Sequence, residues 1–158
     1  MVHIRSVIPG EELELLAVFR RSVHDLAARD YTAVQLDAWA PLTTDADYDA
    51  QWIARIQANR PYVAEIEGAP VGFADLQPSG YIDQFFVDGD CAGQGVGGRL
   101  MRHLLNTART QGLRHLHSHV SLTAQPFFRH FGFVVEQVQY PVVRGVALEN
   151  AVMSRLVG

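Results

Sequence analysis

The sequence predicts a mixed α/β fold in the order β-α-α-α-β-β-β-α-β-α-β-β, a central sheet of about six or seven mostly antiparallel strands flanked by about five helices. Three observations carry that expectation. Apolar residues recur at intervals of three and four over the first 60 residues; short β-rich runs divided by Gly and Pro turns fill 62–87; and a glycine-dense loop then feeds a second helical pattern. No repeat, low-complexity tract or linker interrupts the chain, so residues 1–158 read as a single domain.

Each element has its own signal. His3 to Ile8 alternates weakly as a first strand, and Pro9-Gly10 ends it. From Glu11 to about Ala28, Leu13, Leu16, Phe19, Val23 and Leu26 form one apolar stripe. Glu11, Glu12 and Glu14 sit in its first turn, where the helix dipole favours acids. Thr32 with Gln35 makes a capping box for a short helix through Trp39, which Pro41 stops. Thr44 with Asp47 opens another, with Tyr48, Trp52 and Ile56 on one face. After Pro61 the period changes to that of strands: Tyr62–Glu67, Val71–Gln77 and Tyr81–Val87 form an antiparallel meander. A helix from about Gly95 to Gln111, a strand through Val120 and a helix from about Thr123 to Phe131 follow. Two last strands, Phe133–Val143 and Ala147–Leu156, are joined at Arg144-Gly145.

Composition narrows the function. The chain has 158 residues, 48% apolar and 19% charged, enough to bury a core without covalent staples. Cys91 is the one cysteine, so an intrachain disulfide and a cysteine-based zinc cluster are both excluded. The apolar runs are shorter than the roughly 20 residues of a membrane helix, and the N-terminus lacks the pattern of a signal peptide, which together point to a cytoplasmic protein with no membrane partner. A net charge of −4 argues against nucleic acid as a partner. That mean hides a split. Residues 1–90 carry 15 acids against 6 Arg, whereas 91–135 carry 5 Arg and no acid. All 13 basic residues are Arg.

Gly93, Gly95, Gly97 and Gly98 lie between a β-rich run and a helix, so successive main-chain N–H groups can turn into one concavity at a helix N-terminus. Such a nest binds phosphate oxygens without a basic side chain. Gly93, Gly95 and Gly98 also fit G-x-G-x-x-G, but that dinucleotide reading needs an acid about 20 residues on, and none occurs between Cys91 and Val135. A P-loop requires a Lys, which the chain lacks.

The loop resembles that of the GNAT superfamily of acetyl-coenzyme A-dependent N-acetyltransferases, in which a strand ending in an apolar-Val pair precedes [Q/R]-x-x-G-x-[G/A]. Phe86-Val87 ends the strand here, and Ala92-Gly93-Gln94-Gly95-Val96-Gly97 forms the loop, with Ala92 at the Gln/Arg position. The family's later N-x-x-A-x-x-x-Y-x-x-x-G-F resembles Ser121 to Phe133, matching at Ala124, Gly132 and Phe133. The stretch Arg29 to Pro41 also resembles a bacterial subset of the family with unassigned substrates.

The resemblance implies an N-acetyltransferase that moves the acetyl group of acetyl-coenzyme A, as cosubstrate and without a metal, to a primary amine of a small molecule or peptide by direct attack. A non-catalytic acyl-coenzyme A binding or sensing domain is the alternative, and the protein is expected as a monomer or homodimer. It further implies that the main chain of Phe85, Phe86 and Val87 meets the pantetheine arm. The amides of Gly93 to Gly98 meet the phosphates, with Arg99, Ser121, Ala124, Phe127, Phe128 and Arg129 completing the coenzyme site. Where many members carry a Tyr to protonate the departing thiolate, this chain has Phe128. Ser121, His119 and Tyr140 are candidate substitutes, or water suffices, since a thiol of this kind titrates near about 8.5. Asp83 is a candidate base, water relay or binding charge; its ordinary pKa of about 3.9 makes it a weak base without help. Tyr31, Trp39 and Tyr81 are candidate walls of the acceptor pocket. The acidic first 90 residues suggest a pocket suited to cations. His115, His117 and His119 share one strand face and could ligate a metal, but read better as a solvated or helix-covered face.

Overall fold

The computed structural model describes every residue except Ala92. Strands β1 (Val2–Ser6), β2 (Tyr62–Ile66), β3 (Ala69–Ala74) and β5 (Phe85–Val87) form one antiparallel sheet in the order β1-β2-β3-β5. Strands β4 (Tyr81–Ile82), β6 (His115–Ser121), β10 (Asn150–Leu156) and β7 (Val134–Gln139) form a second, in the order β4-β6-β10-β7. The short pair β8 (Val142–Val143) and β9 (Val146–Ala147) makes a separate hairpin tip. Among the described residues every pairing is antiparallel except β4 with β6, where Tyr81 lies opposite His117 and Ile82 opposite Ser118.

Helices cover both faces of the first sheet. On one side lie α1 (Glu12–Leu26), α2 (Ala33–Trp39) and α3 (Ala46–Asn59), whose Leu15, Phe19, Trp52 and Ile56 pack against Val63 and Phe73. On the other lies α4 (Val96–Thr110), whose Val96, Leu100, Met101 and Leu104 form a core with Ala64, Ile82 and Leu116. The last helix, α5 (Gln125–His130), joins that core through Phe128. Both stripes recur at three or four residues, so sequence periodicity sets the face each helix buries.

The α/β class and element order agree with the sequence reading, and the differences fall at irregular points. The capping box of Thr32 and Gln35 forms as its spacing predicts. Asp45, rather than Thr44, caps α3 by accepting the Tyr48 N–H at 2.9 Å. Thr44 instead donates to the Asp49 carboxylate and accepts from Arg20. The last hairpin, expected as two strands, divides into four because its tip folds over the helices: Arg144 donates to the Ala38 carbonyl at 2.6 Å and Gln35 to the Ala147 carbonyl at 3.1 Å.

The expected strand Tyr81–Val87 also breaks in two, and this break opens the molecule. Asp75, at the end of β3, is fully buried and accepts the main-chain N–H groups of Asp83 at 2.9 Å and Gln84 at 2.7 Å. A side chain thus takes two donors that would otherwise enter a ladder. β4 then stays with β6 while β5 departs with β3, so the two sheets splay apart. The alternation slips by one residue at the same place: Ile82, Phe85 and Val87 face the α4 core, whereas Tyr81, Asp83, Gln84 and Phe86 face the opposite cavity.

Candidate active site

Two cavities lie along the splay. The first, about 410 Å³, is walled by Phe85, Phe86 and Val87 of β5, by Gly93, Gly95, Val96, Gly97 and Gly98 at the start of α4, and by Ser121, Ala124, Phe127 and Phe128. Ser22, Val23 and Ala27 of the α1 end and Cys91 complete it, with Arg29 also in its lining. The second, about 430 Å³, is walled by Phe19, Trp52, Tyr31, Trp39, Tyr48 and Tyr81, with the charged side chains of Arg55, Asp83, Arg144 and Glu149. Trp39, Phe86 and Ser121 line both.

The first cavity is built chiefly from main chain. In the β3–β5 pairing, Gln84 and Asp88 bond to β3 through the Gln84 carbonyl and the Asp88 N–H. By antiparallel parity the polar groups of Phe85 and Val87 then face the other way, into the opening. Gly95 caps α4 at φ +79, a left-handed conformation that places the first-turn amides at the cavity. Gly97 is required for a different reason. A Cβ there would stand 3.1 Å from Phe127 Cε1, so at this close approach of α4 and α5 a side chain would have to push the Phe127 ring aside. Arg102 folds back beside Gly98, its guanidinium 3.2 Å from where a Cβ would stand. Asp88 anchors the loop entrance, taking the Arg21 guanidinium at 2.7 Å while its carbonyl receives the Cys91 N–H. Burial, with Asp88 and Asp90 nearby, pushes the Cys91 thiol up.

The second cavity is built from side chains, and one ordered chain of hydrogen bonds runs through it. Arg55 grips Asp83 with both Nε (2.9 Å) and Nη2 (3.1 Å), and Asn59 donates to the same carboxylate at 2.7 Å. Burial works to raise the pKa of Asp83, but the Arg55 and Asn59 hydrogen bonds and the Arg55 charge outweigh it and hold the carboxyl below its ordinary value. Because a carboxylate only accepts, Asn59 must present its NH₂. Its second contact, at 3.2 Å, then fixes Gln84 with Oε1 toward Asn59, leaving the Gln84 Nε2 donor without a partner on a side chain only 2% exposed. Neighbouring Asp75 is pushed up by burial, against the donors it accepts.

Tyr31 bridges three segments. Its hydroxyl donates to the Glu149 carbonyl at 2.5 Å and accepts the Leu122 N–H at 2.9 Å, and burial raises its pKa. Tyr81 packs against His117 and His119 with ring centroids 5.2 and 5.5 Å away. Burial and the two flanking histidines lower the His117 pKa. Among the described residues no group of three or more His, Cys, Asp or Glu is placed to hold a metal.

The four expected acceptor residues, Tyr31, Trp39, Tyr81 and Asp83, all line the second cavity. Ser121 stands at the junction, its Oγ accepting the Ala124 N–H at 3.2 Å. Phe128 is packed among Phe85, Phe127 and Phe133 and is 2% exposed, a core ring that also walls the first cavity. The structure does not bring every candidate in. Tyr140 follows β7, is 63% exposed and lines neither cavity, although the next residue, Pro141, lines the second. Gln94, Arg99 and Arg129 are exposed and outside the lining, and Ala92 lies outside the described residues. The second cavity is not the acidic pocket that bulk charge suggests, since Arg55 and Arg144 balance Asp83 and Glu149 in its lining. Sequence reading missed Arg55, Asn59, Gln84, Glu149 and Asp75, which no motif marks. It missed Arg102 too, although its position one turn after Gly98 was a usable signal.

An acetyltransferase (GNAT) domain model matches residues 27–148. The chain is 31% identical over 152 residues to the uncharacterized N-acetyltransferase YafP of Escherichia coli, covering 96% of this chain and 94% of that protein. A GCN5-related N-acetyltransferase from Rhodopseudomonas palustris superposes with a TM-score of 0.90 at 32% identity, over 98% of this chain and 94% of that one. The acetyltransferase yncA from Salmonella typhimurium, solved with its cofactor acetyl-CoA, shares the fold at a TM-score of 0.68 and 18% identity, over 100% of this chain and 95% of that one.

Proposed function

This chain belongs to the GNAT acetyltransferase family, and from that premise we propose that it transfers the acetyl group of acetyl-coenzyme A to a primary amine by direct attack within a ternary complex. One observation carries the reading: two cavities of nearly equal volume, one walled by main chain at a helix N-terminus and one by aromatic and charged side chains, meet at Trp39, Phe86 and Ser121.

In this reading the first cavity takes the coenzyme. The amides of Val96, Gly97 and Gly98 and the guanidiniums of Arg29 and Arg102 hold its phosphates, and the outward polar groups of Phe85 and Val87 pair with the pantetheine amides. The thioester then reaches the junction. The acceptor amine enters the second cavity as its ammonium, gives up one proton to solvent, and its lone pair then attacks the thioester carbonyl. A main-chain N–H of Phe85 or Val87 receives the oxyanion as the tetrahedral intermediate forms. The C–S bond breaks on collapse, the thiolate departs and takes one proton, and the new amide retains one hydrogen. Starting from an ammonium, the net release is one proton to solvent.

Ser121 supplies the hydroxyl in the lining common to both cavities, where the sulfur departs. Its oxygen already accepts from Ala124, which leaves its O–H to give a hydrogen bond to the thiolate. Asp83 serves as a fixed charge that orders Arg55 and Asn59, since its lowered pKa makes it a poor proton acceptor. Thiol release from acetyl-coenzyme A, followed across a panel of primary amines, tests the reading. Turnover with at least one amine is expected; tight coenzyme binding without thiol release on any of them would overturn it.

A further inference from the structure

Building on that proposed reaction, we infer that the Glu149 carboxylate receives the acceptor's ammonium and so selects cationic primary amines. Glu149 is half-buried in the lining of the acceptor cavity. Among the described residues its carboxylate makes no ion pair and no hydrogen bond, unlike Asp83, which Arg55 and Asn59 already hold. Arg144, the other cation in that lining, is engaged with other groups. It donates to the Ala38 carbonyl and stands 5.1 Å over the Tyr48 ring. Asp83 and Arg55 are already paired with each other, so Glu149 is the anion in this lining left without a partner, and the aromatic ring faces beside it favour a cation as well.

Position supports the assignment. Asn150, the next residue, lies opposite Ser121 in the β10–β6 ladder, and Ser121 lines both cavities. The Tyr31 hydroxyl ties the main chain of Glu149 to that of Leu122, directly after Ser121. The carboxylate is therefore carried on backbone fixed beside the junction where amine and thioester meet. Its main-chain anchor leaves the side chain free to be changed without disturbing the clamp.

The test is Glu149→Gln, which keeps shape and removes charge. Against an amine turned over by the wild type, the KM for the amine rises about 10-fold or more, the acetyl-coenzyme A KM stays within about twofold, and Glu149→Asp recovers part of the loss. An unchanged amine KM, or an equal rise for both substrates, overturns the inference. Binding of phenethylamine to the coenzyme A complex, followed by NMR titration, reads the same contact without turnover. Weaker binding to Glu149→Gln supports it and equal binding overturns it, even if the proposed reaction itself fails the thiol-release test.

Discussion

The two cavities occupy opposite sides of one strand break, yet they are made of different material. The coenzyme side presents main-chain N–H groups, glycines and phenyl rings. The acceptor side presents guanidinium, carboxylate, amide and phenol groups from α1, the α1–α2 connection, α2, α3, the β4–β5 segment, β6 and the final hairpin. A main-chain site needs small residues at fixed spacing and tolerates little variation. A side-chain site needs only that distant segments converge, and any of them can change its contribution. On the proposed function, selectivity for the amine would reside in a few side chains and coenzyme binding in the course of the backbone.

That contrast can be broken by substitutions on each side. The largest effect is expected from Gly97→Leu, whose side chain must displace Phe127 from a site where even a Cβ is crowded. Overpacking of this kind costs about 1–3 kcal/mol, so calorimetry should show coenzyme A affinity falling by up to about 100-fold. Equal affinity would mean that the α4–α5 approach does not shape the coenzyme side.

Asp83→Asn should act on the other side. It frees Arg55 inside the acceptor cavity and should raise the amine KM by about 10-fold with coenzyme affinity unchanged. It also carries a pH signature. The folded-state pKa of Asp83 is depressed, so its stabilising contribution is present above the unfolded carboxyl value of about 3.9 and is lost as pH falls through the lower folded value. The difference in Tm between wild type and D83N should therefore be widest near neutrality and close toward strongly acid pH. A constant difference would remove the Arg55 ion pair as its source.

The smallest effect is expected from Phe128→Tyr, which restores the hydroxyl that many relatives of this pattern carry. The ring packs among Phe85, Phe127 and Phe133, so a phenol there gains no proton path. The rate should stay within about twofold while the Tm falls slightly from the added volume. A large gain in kcat would place the missing proton donor at this position.

The same difference explains what could be read from the amino-acid sequence. The helices α1 and α4, the Thr32 capping box and the glycine loop follow from local spacing, but the α1 stripe is displaced: Leu16, Phe19 and Val23 are buried as expected, whereas Leu13 is exposed and Leu15 and Val18 are buried instead. Tyr81 to Val87 reads as one strand because nothing local announces that Asp75, six residues before it, will take two of its amides. Glu149 and Arg55 lie 94 positions apart and share a cavity only because the hairpin folds back over the helices. Tyr140 is a usable phenol by residue type, but it leaves its ring in solvent while its neighbour Pro141 faces the cavity, and local spacing does not encode which of the two turns inward. Bulk charge failed for a related reason: the acids of the first 90 residues are spread over several surfaces, and the cavity samples only one of them, Asp83.

The slip at Asp83 and Gln84 has a consequence for the length of this segment. Because the phase changes between these two residues, Asp83 and Gln84 are neighbours in sequence yet line the same cavity, and Phe85, Phe86 and Val87 then resume the alternation. Removing either Asp83 or Gln84 would restore unbroken alternation and leave Phe85, Phe86 and Val87 on their present sides, but it would take from Asp75 one of its two main-chain donors and with it the break that splays the sheets. Substitutions can retune either substrate separately, but the segment's residue count serves both and has no slack.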